Sequence, residues 1–396
     1  MRLKSQLDRR RFLGLFGVGA AVPCLALGTA ANPTFRHAGE LLLFVGTYTS
    51  GGSKSEGIYI FKLDTREGTI FPHKVIGGVE EPSFLALDTD RKFLYAVNET
   101  LDYQGKKSGA VSSFSVDRKS GSLTFLNKQP SMGGAPCHLS VSRDGKFVLV
   151  ANYIGGNVAV LPVRKDGSLG EALDLEQHSG SGPDKSRQEA AHAHSVSLDQ
   201  NDRFAFVNDL GIDRVMIYEF DAKGGSLTPN SSHPYYQTKS GAGPRHFTFH
   251  PTATLAFVIN ELDMTISSLR YDRSKGALKE IQTVSTIPVG FSGENTCADI
   301  HVTPNGRFLY GSNRGHDSLA AFRIDSSTGR MDLIGHYSTK GKTPRNFCID
   351  PTGAFLLVAN QRSDSIVTFA IDPGSGELCQ IGNIVTVPSP VCLKLI

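Results

Sequence analysis

Apolar residues in this chain come in short runs that alternate with polar ones, each closed by a turn, and the runs recur in a fixed frame. From Pro82 the frame reads proline, two variable residues, an apolar run, a polar turn such as Asp90-Arg91-Lys92, then Phe93-Leu94-Tyr95-Ala96-Val97 closing on Asn98. The same sixteen-residue step joins Pro136 to Asn152, Pro244 to Asn260 and Pro344 to Asn360. With the proline replaced, it also joins His192 to Asn208 and Cys297 to Asn313. The closing residues lie 47 to 56 apart, the period of a propeller blade with four strands.

Those are six complete copies, and the ends of the chain supply a seventh. Leu41 to Thr47 has the form of a second strand that lacks its first. Pro388-Ser389-Pro390-Val391-Cys392-Leu393 has the form of a first strand that lacks its second, and it matches Pro344 to Ile349. The pattern therefore predicts an all-β, seven-bladed β-propeller whose first and last strands share one blade, a closure that leaves only short, protected edges.

Composition fits this reading. Glycine is abundant, at 42 of 396 residues, the runs are rich in Val, Ile, Phe and Tyr, and no long 3.6-residue period interrupts them. Asp144-Gly145, Asp166-Gly167 and Asn305-Gly306 are hairpin signals between runs. A closed ring has no internal linker, so residues 41–396 are read as a single domain despite their length. The polar insert from Ser179 to Glu189 reads as a long surface loop over one mouth of the ring.

Residues 1–30 are of another kind. Arg9-Arg10-Arg11-Phe12-Leu13-Gly14, an apolar run to Leu27, and small residues at Gly28-Thr29-Ala30-Ala31 form the three parts of an export signal, of the twin-arginine type. The run is shorter than the roughly twenty residues a membrane span needs, so no stable membrane anchor is expected after cleavage. The expected location is periplasmic or extracellular. Loss of this segment removes five cations and one anion and takes the formal charge from +3 to −1. The remaining surface has no basic stripe, which argues against a nucleic-acid partner. Oligomeric state is left open.

Cys137, Cys297, Cys348, Cys379 and Cys392 remain, an odd number. Cys348 and Cys392 are read as the same repeat position, where small buried residues are common, so reduced cysteines rather than a disulfide framework are expected. No CxxC or spaced His/Cys cluster marks a metal site, and the pair His192-Ala193-His194 supplies no third ligand. No cofactor is expected.

Antiparallel pairing sets the start of each first strand beside the end of the second. Residues just after the proline and just after the asparagine then meet at one mouth of the channel. Two after the proline position come Phe84, His138, His194, His246, Asp299 and Asn346; one after it come Arg245 and Arg345. Past the closing asparagines come Glu99, Tyr153, Asp209, Glu261, Arg314 and Gln361, with Tyr48 in the split copy. Imidazoles, carboxylates and guanidiniums at one opening suit an anionic, hydroxylated small molecule and proton transfer on it. The closing asparagines read first as caps on backbone groups at turns, and a structural ion-pair network is the alternative reading of Arg245, Glu261 and Arg314.

Several stretches carry a specific resemblance: Val45-Gly46-Thr47-Tyr48, Glu189-Ala190-Ala191-His192-Ala193-His194-Ser195, Gly243-Pro244-Arg245-His246, Asn260-Glu261-Leu262, Ala298-Asp299-Ile300-His301-Val302-Thr303-Pro304 and Ser312-Asn313-Arg314. Over residues 41–396 the chain resembles the lactonase family of seven-bladed propellers, which holds propeller-type 6-phosphogluconolactonases and fungal carboxymuconate lactonizing enzymes. The resemblance implies metal-free opening of a sugar lactone by water, with a His, Arg, Glu, Arg set falling on His194, Arg245, Glu261 and Arg314. Glu261 or His194 would activate water, Arg245 polarise the carbonyl and Arg314 hold the anionic end. His138, His192, Asp209, His246, Asp299, His301, Asn313, Arg345 and Gln361 are the expected substrate-binding residues. The substrate would be 6-phosphoglucono-δ-lactone or, for an exported protein, an unphosphorylated aldonolactone. The alternatives are a cyclase that closes a muconate-type diacid and a non-catalytic ligand-binding propeller.

Overall fold

The computed structural model describes residues 39–396. The expected export signal lies outside them. Every sheet is antiparallel, and the sheets number seven: six of four strands and one of five. The innermost strands, which wall the channel, are Leu85–Leu87, Pro136–Val141, Ala193–Leu198, Pro244–Phe249, Thr296–Val302, Pro344–Ile349 and Pro390–Leu395. The last of these pairs with Glu40–Thr47, the second strand of its blade, so the two ends of the fold lock together as the pattern required.

Two details of register differ from the sequence reading. In the closing blade Thr47 faces Pro390, as Asn360 faces Pro344, so Pro390 rather than Pro388 opens the copy. Cys392 therefore corresponds to Asn346, not to Cys348. In the blade that begins at Ala193, the pairing is Ala193 with Asp209. The sixteen-residue step survives there but is moved by one residue, so Asp209 takes the asparagine's place and Leu210 the place of Glu261.

A bulge follows the opening residue in six of the blades. The register slips between Pro136 and His138, Ala193 and Ser195, Pro244 and His246, Cys297 and Ile300, Pro344 and Asn346, and across from Gly46 and Thr47 in the closing blade. A bulge inserts one residue and re-aims its side chain. In four blades the extra residues are Cys137, His194, Arg245 and Arg345.

The closing asparagines hold backbone. Asn152, Asn313 and Asn360 donate from Nδ2 to the carbonyls of Ser131, Thr286 and Thr339 at 2.7, 2.8 and 3.0 Å, each tying a second strand to the connection arriving from the blade before. The apolar core lies between blade faces, where Phe206 stacks on Phe247 with ring centroids 5.2 Å apart. Blades are also latched by buried tyrosines, as when Tyr310 O–H donates to the carbonyl of Gly376 at 2.7 Å. Gly376 has φ +80° and sits against the Phe308 ring, where a Cβ would collide, so glycine is required there on both counts.

Cys137, Cys297, Cys348 and Cys392 are free and buried. Cys379 is disulfide-bonded, against the expectation of reduced cysteines.

Candidate active site

Glu261 is the centre of the mouth. It follows Asn260 at the end of Leu255–Asn260, and its backbone N–H donates to the carbonyl of Gly243 at 2.7 Å, which fixes the side chain's origin beside the bulge of the paired strand. Its Oε2 accepts from Arg245 Nε at 2.9 Å and Arg314 Nη2 at 2.9 Å; its Oε1 accepts from Arg187 Nη2 at 2.5 Å. Burial pushes this carboxyl up, but Arg314, Arg245 and Arg187 together outweigh it and bring its pKa down to about 2. So tightly held an anion is a poor proton acceptor at neutral pH. It organises the arginines.

Arg245 is almost wholly buried. Besides Glu261 it donates from Nη1 to the carbonyl of Ala298 at 2.6 Å and to His246 Nε2 at 3.2 Å. Burial and the neighbouring Arg314 and Arg345 lower its pKa to about 10, which leaves it charged at neutral pH. Arg314 donates to the carbonyl of Cys297 at 2.8 Å, and its buried Nε has no partner among the described residues. Arg345 lies over the Tyr48 ring, 5.3 Å from the centroid, and donates to the Tyr48 hydroxyl at 2.9 Å.

Beneath the arginines is a layer of rings. His138 lies 4.2 Å from Phe84 and 5.4 Å from His246, which is 5.4 Å from His194. Arginine can only donate, so His246 Nε2 must carry the lone pair and its Nδ1–H goes to Asp299 Oδ1, 2.7 Å away. This neutral tautomer agrees with burial and Arg245 lowering the His246 pKa to about 4. Asp299 also takes His301 Nε2 at 2.9 Å and Asn346 Nδ2 at 2.5 Å. His194 is held neutral as well, by burial and then by Arg245. Its Nδ1 lies 3.8 Å from Cys137 Sγ, and its Nε2 has no hydrogen-bond partner among the described residues. On the far side of the layer the channel widens into a cavity of about 710 Å³ lined by His138, Phe84, Ser140, Thr248 and Lys394.

Of the expected catalytic set, then, Arg245, Glu261 and Arg314 are joined directly and His194 lies in the ring layer below them. His246, Asp299 and His301 connect to the same network, Arg345 instead reaches Glu99 through Tyr48, and His138 belongs to the layer. Gln361 sits at the outer rim with Tyr48. Asp209 and Asn313 are spent on structure. Asp209 Oδ1 accepts from the backbone of His192 and Gly211, and its Oδ2 meets His178 Nδ1 at 2.6 Å. Asn313 is fully buried between Thr286 and Ser318. His192 stacks on Tyr153 and is held between the Tyr153 carbonyl and Glu189.

Arg187 is the participant that the repeat does not reveal. It belongs to the polar insert, which does reach the mouth, and its neighbour Gln188 anchors that loop from a fully buried position. Gln188 Nε2 donates to the carbonyl of Leu210 at 2.8 Å and to Asp213 Oδ1 at 2.7 Å, leaving Arg187 to project toward Glu261 and Tyr153. The only sequence signal was a cation in a loop already assigned to that face.

A propeller mouth with three guanidiniums around one ionised carboxylate, a fourth on Tyr48, and neutral imidazoles beneath is built to hold an anionic or polarised small molecule. Residues 42–395 match the family described as lactonase, 7-bladed beta-propeller. The chain is 40% identical over 353 residues to a 6-phosphogluconolactonase of Bacillus subtilis, covering 89% of this chain and 97% of that one. Among solved structures it resembles a putative 6-phosphogluconolactonase from Bacteroides fragilis, with a TM-score of 0.84, 37% identity and coverage of 92% and 100%. It is equally similar in fold to a periplasmic gluconolactonase of Pseudomonas aeruginosa, with a TM-score of 0.84, 34% identity and coverage of 90% and 99%. The chain belongs to the lactonase family of seven-bladed β-propellers.

Proposed function

We propose that this protein is a lactonase that opens a sugar lactone with water, and that its substrate is an aldonolactone such as glucono-δ-lactone. The observation that carries the reading is the sharing of Glu261 among Arg187, Arg245 and Arg314, because it holds guanidinium donors rigidly at a site with one ionised counter-charge. Donors fixed in this way cost no reorganisation when negative charge develops on a carbonyl oxygen.

In the mechanism, Arg245 takes the developing oxyanion and Arg314 and Arg345 hold the polyhydroxy or carboxylate end. His194 accepts the proton of the attacking water on Nε2. Glu261 keeps the arginines in position rather than acting as the base, since both its oxygens are taken by guanidiniums. His246 and Asp299 orient Arg245 from below.

Export is part of the proposal. The Arg-Arg-x-Phe-Leu start at Arg9 supports it, as does the likeness to a periplasmic gluconolactonase. An exported enzyme does not meet cytoplasmic sugar phosphates, which favours the unphosphorylated lactone. Proton release from glucono-δ-lactone and from 6-phosphoglucono-δ-lactone, recorded at constant pH above the spontaneous rate, tests the reading. Turnover of neither would end it, and a strong preference for the phosphorylated lactone would reverse the substrate assignment.

A further inference from the structure

Glu99 is the titratable group at the mouth that this mechanism leaves unused. It follows Asn98 and so occupies in its own blade the position Glu261 holds in another. The two carboxylates have opposite surroundings. Glu261 has a guanidinium on each oxygen, whereas Glu99 accepts two hydroxyl donors on one oxygen: Tyr48 O–H at 2.9 Å and Ser83 O–H at 2.5 Å, both to Oε2. Among the described residues its Oε1 has no hydrogen-bond partner, and it is not closed off from solvent as the Oε1 of nearby Glu81 is. The phenol is itself oriented, because its oxygen accepts from Arg345 Nη2. With Oε2 saturated by donors, a proton on this carboxyl belongs on Oε1. Burial is the largest influence on Glu99 and raises its pKa, opposed by Arg345, Ser83 and Tyr48.

From this geometry we infer that Glu99 is the general acid of lactone opening, delivering its Oε1 proton to the ring oxygen as that oxygen leaves. The inference rests on the lactonase reading above. Water oxygen bonds to the carbonyl carbon while His194 Nε2 takes its proton. The tetrahedral adduct then collapses and the bond from the carbonyl carbon to the ring oxygen breaks. The electron pair stays on that oxygen, which takes the proton of Glu99. The proton on His194 passes through solvent to restore Glu99, and the new carboxylic acid loses its own to solvent. An alkoxide needs protonation to depart, and a phenoxide does not, so the role leaves a signature in the leaving group.

The experiment compares glucono-δ-lactone with dihydrocoumarin, a phenol lactone, for the wild-type protein, Glu99→Gln, Glu99→Asp and Tyr48→Phe. Glu99→Gln should lower kcat on the sugar lactone about 10²-fold, and the loss on the phenol lactone should be at least roughly tenfold smaller. The wild-type rate should fall as pH rises through the Glu99 pKa, and that fall should be absent in Glu99→Gln. The charged and titratable groups facing Glu99 are Tyr48, Arg345, Glu81 and Cys137. Tyr48→Phe should keep the fall, which separates carboxyl from phenol. If Glu99→Gln does not fold, Glu99→Asp replaces it, with reduced kcat and the fall retained. Equal losses on the two lactones, or no loss on the sugar lactone, would overturn the inference alone. A wild-type protein that opens neither lactone removes the lactonase reading and this inference with it.

Discussion

His194 and Arg245 are the same residue of two successive blades: each is the extra residue of the bulge that follows the strand's opening position, after Ala193 in one and Pro244 in the other. Arg345 repeats the arrangement two blades after Arg245. Part of the chemistry at the mouth is thus written at one backbone irregularity, used several times with different side chains.

Arg245→Lys tests the oxyanion role. Lysine keeps a charge but cannot bridge Glu261, Ala298 and His246 at once. We expect kcat on glucono-δ-lactone to fall about 10²–10³-fold, with the circular dichroism of the folded protein retained. A loss under about threefold would remove Arg245 from the reaction.

Glu261→Gln tests the acid sensitivity of the fold. The folded carboxyl titrates near 2 against an ordinary 4.5, so its contribution is present above about pH 4.5 and is lost as pH falls toward 2. That shift corresponds to about 3 kcal/mol. Denaturant unfolding of the wild type should weaken across this window, and the variant, less stable at pH 7, should show a flatter dependence there.

How much of this was legible beforehand turns on single residues. The blades and the closure followed from the sixteen-residue step, because strand pairing keeps alternation and turn length in phase. The step failed where a side chain could impersonate its neighbour. Asn208 looked like a closing asparagine, yet six residues from Phe204 lead to Asp209, just as six from Leu255 lead to Asn260. Asp209 caps backbone as its counterparts do. Likewise two prolines in the last copy left its start ambiguous by two residues until Thr47 was seen opposite Pro390. Arg187 was beyond any periodic argument, since a loop held by one buried glutamine has no repeat to align with. The bulges carry no residue signature of their own, and without them Cys137, Arg345 and Arg245 could not be distinguished in direction from the residues that follow.

Arg187→Ala tests the loop. Its side chain is 36% exposed, so the pair with Glu261 should contribute no more than about 1 kcal/mol to stability. The expected result is a several-fold higher KM for the lactone with little change in melting temperature. An unchanged KM would confine Arg187 to a structural role.

Gly46→Ala tests the closure. A Cβ there would lie 2.4 Å from the carbonyl oxygen of Pro82, a backbone atom that cannot step aside. The variant should lose about 1–3 kcal/mol in denaturant unfolding, through strain between the closing blade and the next.

The pairing of Glu40–Thr47 with Pro390–Leu395 has a temporal side. Glu40–Thr47 meets its neighbour Gly57–Asp64 early, but its other edge waits for Pro390–Leu395, so the ring closes only once those residues have left the ribosome. Until then, six blades of partly formed sheet stand with an open seam, and chaperone capture during that interval is where a shortened C-terminus would show its effect first.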